Sequence, residues 1–199
     1  KVNPRLSSYA LAPKRQKREV VEDLTQVERD IVLSVQNLTV EYPKKGLYQE
    51  VVSNVSFDLQ RGDVLGIVGE SGSGKSTVAT SIIQQLKLPG RSRGSIYFEG
   101  QALETLDDEQ IRQLRGKDIG YIAQAAMNAI NPVITIDKQL KEAIKVHQKL
   151  DEAEMDKRVM EVMTQVGLDT KWRFAFSHEL SGGMRQRVII AMALINRPK

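Results

Sequence analysis

One run of nine residues combines glycines, hydroxyls and a lysine at a fixed spacing. It reads Gly69-Glu70-Ser71-Gly72-Ser73-Gly74-Lys75-Ser76-Thr77 and fits G-x-x-x-x-G-K-[ST], the pattern of a phosphate-binding loop (P-loop). Glycines let successive backbone N–H groups turn toward phosphate oxygens. Lys75 offers a cation to the β- and γ-phosphates, and the Ser76 hydroxyl is a ligand for Mg²⁺. The predicted nucleotide-binding residues are Gly69, Ser71, Gly72, Ser73, Gly74, Lys75, Ser76 and Thr77.

The segments on either side of this loop must position it. Residues 63–68 form a short apolar run bounded by glycines, which predicts a buried strand. Residues 77–86 carry apolar side chains at helical spacing, so we expect a helix that begins near Gly74 and adds the positive end of its dipole. This strand–loop–helix context disfavours the alternative, a glycine-rich turn that binds nothing.

The rest of the chain alternates less regularly between the two kinds of element. Strands are predicted at residues 31–42, 51–59, 95–99 and 118–123, with a turn at 43–46 and a loop at 89–94. Helices are predicted at residues 108–114, 137–148, 151–166 and 182–194. Early strands, a P-loop unit and then helices indicate an α/β fold with a helical subdomain inserted at about residues 130–195.

Composition narrows the class of protein. The chain has 199 residues, is 41% hydrophobic and contains no cysteine, which excludes disulfides and thiolate metal sites. No apolar run approaches the ~20 residues of a membrane span. The net charge is +4, but residues 1–18 hold six basic and no acidic residues, so the remainder carries −2. A basic face for nucleic acid is therefore not expected, and residues 1–30 are predicted to be a basic linker or tail.

A second motif discriminates among nucleotide-binding proteins. It reads Leu180-Ser181-Gly182-Gly183-Met184-Arg185-Gln186-Arg187, with Ser181 as the N-cap of a helix and two glycines that leave its first N–H groups bare. The stretch resembles the signature motif of ATP-binding-cassette (ABC) ATPases, apart from Met184 where Gln is commoner. With the P-loop, this resemblance extends over residues 31–199.

The resemblance implies a fold and a set of site residues. The fold would have an antiparallel β subdomain, a parallel-sheet core and an inserted α-helical subdomain. ATP and Mg²⁺ would lie between the P-loop of one subunit and Ser181, Gly182 and Gly183 of the other. Tyr42 would stack on adenine, although an aromatic residue at a strand end is more often core or rim. Gln124 would touch Mg²⁺ and the attacking water, which makes Lys75, Gln124 and Ser181 the catalytic residues and Ser76 and Gln124 the metal ligands.

The loop after Gln124, with its Asn131-Pro132, is similar to that of oligopeptide and dipeptide importers, as is the signature region. This implies an ATP-hydrolysing subunit that energises import of peptides, or of nickel or related small solutes, at the cytoplasmic face of the membrane. Its partners would be a second ATPase subunit and permease subunits, with a solute-binding protein engaged indirectly and no nucleic acid. The alternatives are a soluble ABC-type ATPase acting on nucleic acid or ribosomes, and a non-hydrolysing nucleotide binder.

The family's next elements are an apolar strand ending in Asp-Glu and a switch histidine, and the sequence stops before them at Asn196-Arg197-Pro198-Lys199. We therefore expect a truncated piece of a longer ATPase that lacks the C-terminal part of the core and does not turn over ATP by itself. Val2-Asn3-Pro4-Arg5-Leu6 is similar to the end of permease subunits. Residues 1–30 would then tether a fused permease, with a chance match as the equal alternative.

Overall fold

The computed structural model describes residues 30–124 and 126–199, with the backbone alone at residues 127 and 128. The chain divides into two compact units, one ending at Leu106 and one running from Asp107 to Lys199. The predictions for residues 1–29, including the linker and the permease tether, lie outside the described residues. Across the part of the chain that is described, none of the helices combines the length and hydropathy needed to cross a membrane.

The first unit contains an antiparallel sheet in the order β2-β1-β3-β4. Its strands are β1 (Ile31–Lys44), β2 (Leu47–Gln60), β3 (Arg91–Phe98) and β4 (Gln101–Ala102). The predicted strands at 31–42, 51–59 and 95–99 are confirmed. The loop predicted at 89–94 is wrong from Arg91 onward, because these residues pair with β1 in the register Glu41 to Arg91 and Thr39 to Arg93.

One face of this sheet is apolar and carries the helix that follows the P-loop. Val40 and Val52 lie opposite each other in β1 and β2, and both are buried. Helix α1 (Lys75–Ile82) contacts β2 and buries Val78. Burial of each such side chain is worth roughly 1.5–3 kcal/mol, so packing holds this short helix on the sheet more than its own propensity does.

Two predicted core strands do not form. Residues 63–68 are exposed and without regular structure, with Val64 97% and Val68 78% exposed. Residues 118–123 contribute only an isolated parallel bridge between Arg115 and Ile119. A strand requires a neighbouring strand for its backbone hydrogen bonds, and the described residues supply none beside either segment. The predicted parallel sheet is therefore absent from residues 30–124 and 126–199, although both segments have the apolar pattern of a strand.

The second unit is helical. It comprises α2 (Asp108–Leu114), α3 (Ile136–Lys145), α4 (Glu152–Gln165) and α5 (Gly182–Leu194), with single 3-10 turns at Ala126–Ala129, Thr170–Phe174 and Ser177–Glu179. The helices predicted from periodicity are confirmed to within a few residues. The apolar faces of α3, α4 and α5 meet in one core, whose most buried members are Ile136, Leu140, Ile144, Val159, Met163, Val188 and Ala191.

A cluster of charged side chains fixes the elements around this core. Lys141 of α3 bridges to Asp156 of α4, and Arg173 of the 170–174 turn bridges to both Asp156 and Asp137. Asp137 and Lys141 are 7% and 8% exposed. Hydrogen bonds from Lys141 and Arg173 lower the pKa of Asp156, so its carboxylate stays ionised well into acid. The cluster therefore links α3, α4 and the turn at Thr170–Phe174 by ion pairs, in addition to their packing in the apolar core.

Candidate nucleotide-binding site

The P-loop adopts a curled backbone that only glycine allows at two points. Gly72 and Gly74 have φ of 80° and 94°, in the left-handed region. The Ser73 N–H donates to the Glu70 carbonyl at 3.2 Å, which closes the turn. The Lys75 ammonium folds back and donates to the carbonyls of Gly69 at 2.9 Å and Glu70 at 2.7 Å. The loop therefore wraps around its own cation and holds it at the point where the chain reverses.

Gly74 is seated directly on the sheet. A Cβ at this position would lie 2.8 Å from the Val51 carbonyl oxygen and 3.0 Å from a methyl group of Val52. No side chain fits there, so the glycine serves close packing as well as backbone conformation. The contact fixes where the P-loop and the start of α1 stand relative to β2.

Helix α1 leaves its positive end open for an anion. Gly74 is its N-cap and makes no side-chain capping bond, and the first turn contains no acidic residue. The Ser76 side chain, in that first turn, is exposed. Bare N–H groups, a lysine and an exposed hydroxyl at one helix end suit the phosphates of a nucleotide. The residues present thus fit a triphosphate with Mg²⁺, for which the exposed Ser76 hydroxyl would be a ligand.

Tyr42 lies on the same face of the sheet as this loop, although it is 32 positions before Gly74 in the sequence. It pairs with Gln49 of β2, two residues or about 7 Å along the strand from Val51, which Gly74 contacts. Tyr42 and Val40 share a face of β1, and Val40 lies opposite Val52, the residue packed under Gly74. The half-buried ring therefore stands on the same face of the sheet as the P-loop.

Sequence reasoning missed a charged cluster on the other face of β1. Glu41 is only 7% exposed and accepts from Arg91 at 2.7 Å and Arg93 at 2.8 Å. The Arg91 hydrogen bond, followed by that from Arg93, holds the pKa of Glu41 below its ordinary value. The alternation of Arg91 and Arg93 is typical of one face of a strand and could have indicated the cluster, although the sequence predicts a loop at these positions. The cluster locks β3 to β1 beside Tyr42.

The second motif begins helix α5 as predicted. Ser181 is the N-cap, and its hydroxyl accepts from the Met184 N–H at 3.3 Å. Gly182 and Gly183 are exposed, and a Cβ added to either would meet nothing within 4 Å. The first turn of α5 contains no acidic residue. Met184, the departure from the commoner Gln, is partly buried against the helical core and so anchors the helix instead of facing solvent.

Gln124 ends an irregular segment, not the predicted strand, and is exposed. Just after it, the turn at Ala126–Ala129 packs against α5, with Ala126 against the core that holds Val188 and Ile189. The turn two residues after Gln124 therefore contacts the helix that Ser181 caps. The first unit likewise gathers Tyr42 and the P-loop. The roles predicted for these residues stay predictions.

Fold and loop together define a P-loop nucleotide-binding protein, and comparison with known proteins defines it further. The family model for the ABC transporter matches residues 52–199. The chain is 46% identical over 172 residues to the peptidoglycan transport ATP-binding protein YejF of Agrobacterium fabrum, covering 84% of this chain and 32% of that protein. It is 39% and 43% identical to the oligopeptide and dipeptide transport ATP-binding proteins OppD and DppD of Bacillus subtilis, covering 48% and 51% of them. The chain belongs to the ABC transporter family.

Solved structures agree with this assignment and with the predicted ABC-type fold. The dimeric bacterial ABC transporter cassette MJ0796 superposes with a TM-score of 0.73 at 28% identity, over 83% of this chain and 70% of that one. The same cassette in a post-hydrolysis state bound to ADP and Pi gives 0.72. The chain spans about a third to a half of the length of the curated relatives described above.

Proposed function

We propose that this chain is part of an ABC-type ATPase subunit that energises import of peptides or related small solutes across the cytoplasmic membrane. One observation carries the proposal. Of the five α-helices in the described residues, α1 and α5 alone have no acidic residue in the first turn, and both begin at glycines. The positive ends of these two helices are therefore not neutralised by carboxylates of their own first turns, as expected if each contributes to a triphosphate site.

The two starts have different roles in the proposal. Lys75, Ser76 and the P-loop N–H groups hold the triphosphate of one nucleotide. Ser181, Gly182 and Gly183 approach the γ-phosphate of the nucleotide on a second subunit, so each site is completed in a dimer. Mg²⁺, when bound at the Ser76 hydroxyl, would neutralise charge on the phosphate oxygens. Closure of the dimer on ATP then supplies the work of transport, because only the closed state uses both halves of each site.

Mixing two inactive variants of the full-length protein tests the shared site. Lys75→Ala removes the phosphate cation, and Gly183→Leu blocks the α5 start with a side chain that favours helix. In a head-to-tail dimer of one of each, one site is fully intact, so mixing should restore up to about a quarter of the wild-type hydrolysis rate. If each variant folds and the mixture stays as inactive as its components, the shared site is wrong.

The transport assignment has its own test. We expect cells carrying Lys75→Ala to lose ATP-driven peptide uptake while the protein remains in the membrane fraction with permease subunits. The names of the relatives, which are peptide and peptidoglycan transport proteins, support this substrate class. Salt-sensitive binding of DNA or RNA, with uptake unaffected, would instead favour a soluble ATPase acting on nucleic acid.

A further inference from the structure

A close contact joins Tyr42 to a glycine that no motif includes. A Cβ added to Gly90 would lie 2.6 Å from Tyr42 Cε1 and 2.8 Å from Cζ. These distances are below any normal carbon–carbon contact, so the Tyr42 ring occupies the space that a side chain at position 90 would need. The glycine backbone is the support against which the edge of the ring rests.

A left-handed backbone does not explain this glycine. Its φ is not in the left-handed region, unlike that of the P-loop glycines Gly72 and Gly74. The Gly90 N–H donates to the Lys87 carbonyl at 2.9 Å, which closes a turn just before β3. The added Cβ would also lie 2.8 Å from that carbonyl, so the backbone of the turn limits how far residue 90 can move away from the ring.

The strand that follows Gly90 also limits where the Tyr42 ring can lie. Gly90 immediately precedes β3, which is held to β1 by the Arg91 and Arg93 bonds to Glu41. These bonds resist movement of β3 away from β1, so a larger residue at position 90 would displace the Tyr42 side chain. Since Tyr42 stands on the P-loop face of the sheet, its displacement changes the surface beside the triphosphate site.

We propose that Gly90 is a positioning residue for Tyr42, and that it sets the preference of the site for a nucleotide over a triphosphate without a base. The inference rests on the proposed nucleotide site and on stacking of the base against Tyr42. Gly90 makes no contact with nucleotide itself. It determines where the ring lies, and stacking depends on the position and orientation of the ring.

The experiment compares affinities of the full-length protein for the magnesium salts of ATP and inorganic tripolyphosphate, by calorimetry. Tyr42→Ala should reduce the preference for ATP roughly tenfold, since stacking on a base is worth about 1–3 kcal/mol. Gly90→Ala should reduce it about three- to tenfold with tripolyphosphate affinity unchanged. Lys87→Ala, in the same turn but with Gly90 and the carbonyl retained, should leave the preference as in the wild type.

A double variant separates the outcomes. Gly90→Ala should have no further effect in a Tyr42→Ala background, and the smaller side chain at position 42 should rescue folding if Gly90→Ala alone fails to fold. An unchanged preference in Gly90→Ala, beside a reduced one in Tyr42→Ala, would overturn the role of Gly90 and leave base stacking intact. A double variant that also fails to fold would overturn it too. An unchanged preference in Tyr42→Ala would overturn the stacking itself.

Discussion

Two helices in this protein begin at glycines, and the two sets of glycines are present for different reasons. At the start of α1, Gly74 has a left-handed backbone and lies so close to Val51 that no side chain fits. At the start of α5, Gly182 and Gly183 have open space around them. The fold requires the first glycine and is indifferent to the others. A glycine that its own chain does not need points to something from outside approaching that backbone.

The contrast predicts that substitutions at the two helix starts affect stability and activity differently. Substitution of Gly74 at the start of α1 should disturb both, because packing on Val51 and the proposed phosphate binding use the same backbone. Substitution at α5 should leave the folded state as it is and act on the completed site. Three variants test this comparison, and a fourth tests the charged cluster of the helical unit.

Gly183→Leu should have the largest effect on activity. It places a side chain at the open start of α5, and losing one preorganised donor to the γ-phosphate costs hydrolysis about 100-fold or more. The melting temperature should not fall, because leucine favours helix over glycine by about 0.5–1 kcal/mol. Steady-state ATPase assays and thermal denaturation of the full-length protein measure the two effects. A large drop in melting temperature would show that the fold needs this glycine after all.

Lys75→Ala should weaken ATP binding by about 10–100-fold, since hydrogen bonds to charged groups contribute about 1.5–3 kcal/mol. Its partners in the structure are the Gly69 and Glu70 carbonyls and the Ser73 hydroxyl, all within the P-loop itself, so stability should change little. Isothermal titration with ATP measures the effect. Lys87→Ala removes a nearby exposed lysine and is the matched control. Equal losses in both variants would mean that general charge, not the P-loop, attracts the nucleotide.

Gly74→Ala should lower the free energy of unfolding by roughly 1–3 kcal/mol, because alanine is strained at a φ of 94° and its methyl group would press on the Val51 carbonyl. Chemical denaturation of the full-length protein measures it, with Gly183→Ala as the control that should be neutral or slightly stabilising. If the two alanine variants unfold alike, the distinction between the two helix starts is not one of packing.

The smallest expected effect is on how stability depends on pH in acid. The pKa of Asp156 is lowered in the folded state by hydrogen bonds from Lys141 and Arg173, so its contribution to stability is present above the ordinary pKa of 3.8. That contribution is lost as the pH falls through the depressed folded value. Asp156→Asn should therefore reduce stability at neutral pH and flatten its dependence on pH below about 4. Circular dichroism during acid titration measures this. A parallel loss of stability in wild type and variant would contradict it.

The two units also differ in how far sequence could predict them. The periodicity of residues 137–148 and 151–166 gave α3 and α4, because a helix makes its backbone hydrogen bonds within itself. Residues 63–68 had an equally clear apolar pattern, yet form no strand, because a strand depends on residues far away in the chain. The Glu41 cluster was not predicted for a similar reason: Arg91 and Arg93 are about 50 residues from their partner in the sequence.

The amino-acid sequence alone specifies the P-loop and signature motifs, with their lysine, hydroxyls and glycines, and these motifs identify the family. These features are local, since a cap, a turn or a left-handed residue is specified within a few positions of the chain. Three arrangements are visible only once the chain is folded: Tyr42 stands on the P-loop face, Gly90 contacts its ring, and the turn after Gln124 packs on α5. Those arrangements depend on which strands and helices meet, and the distances between them are set by packing.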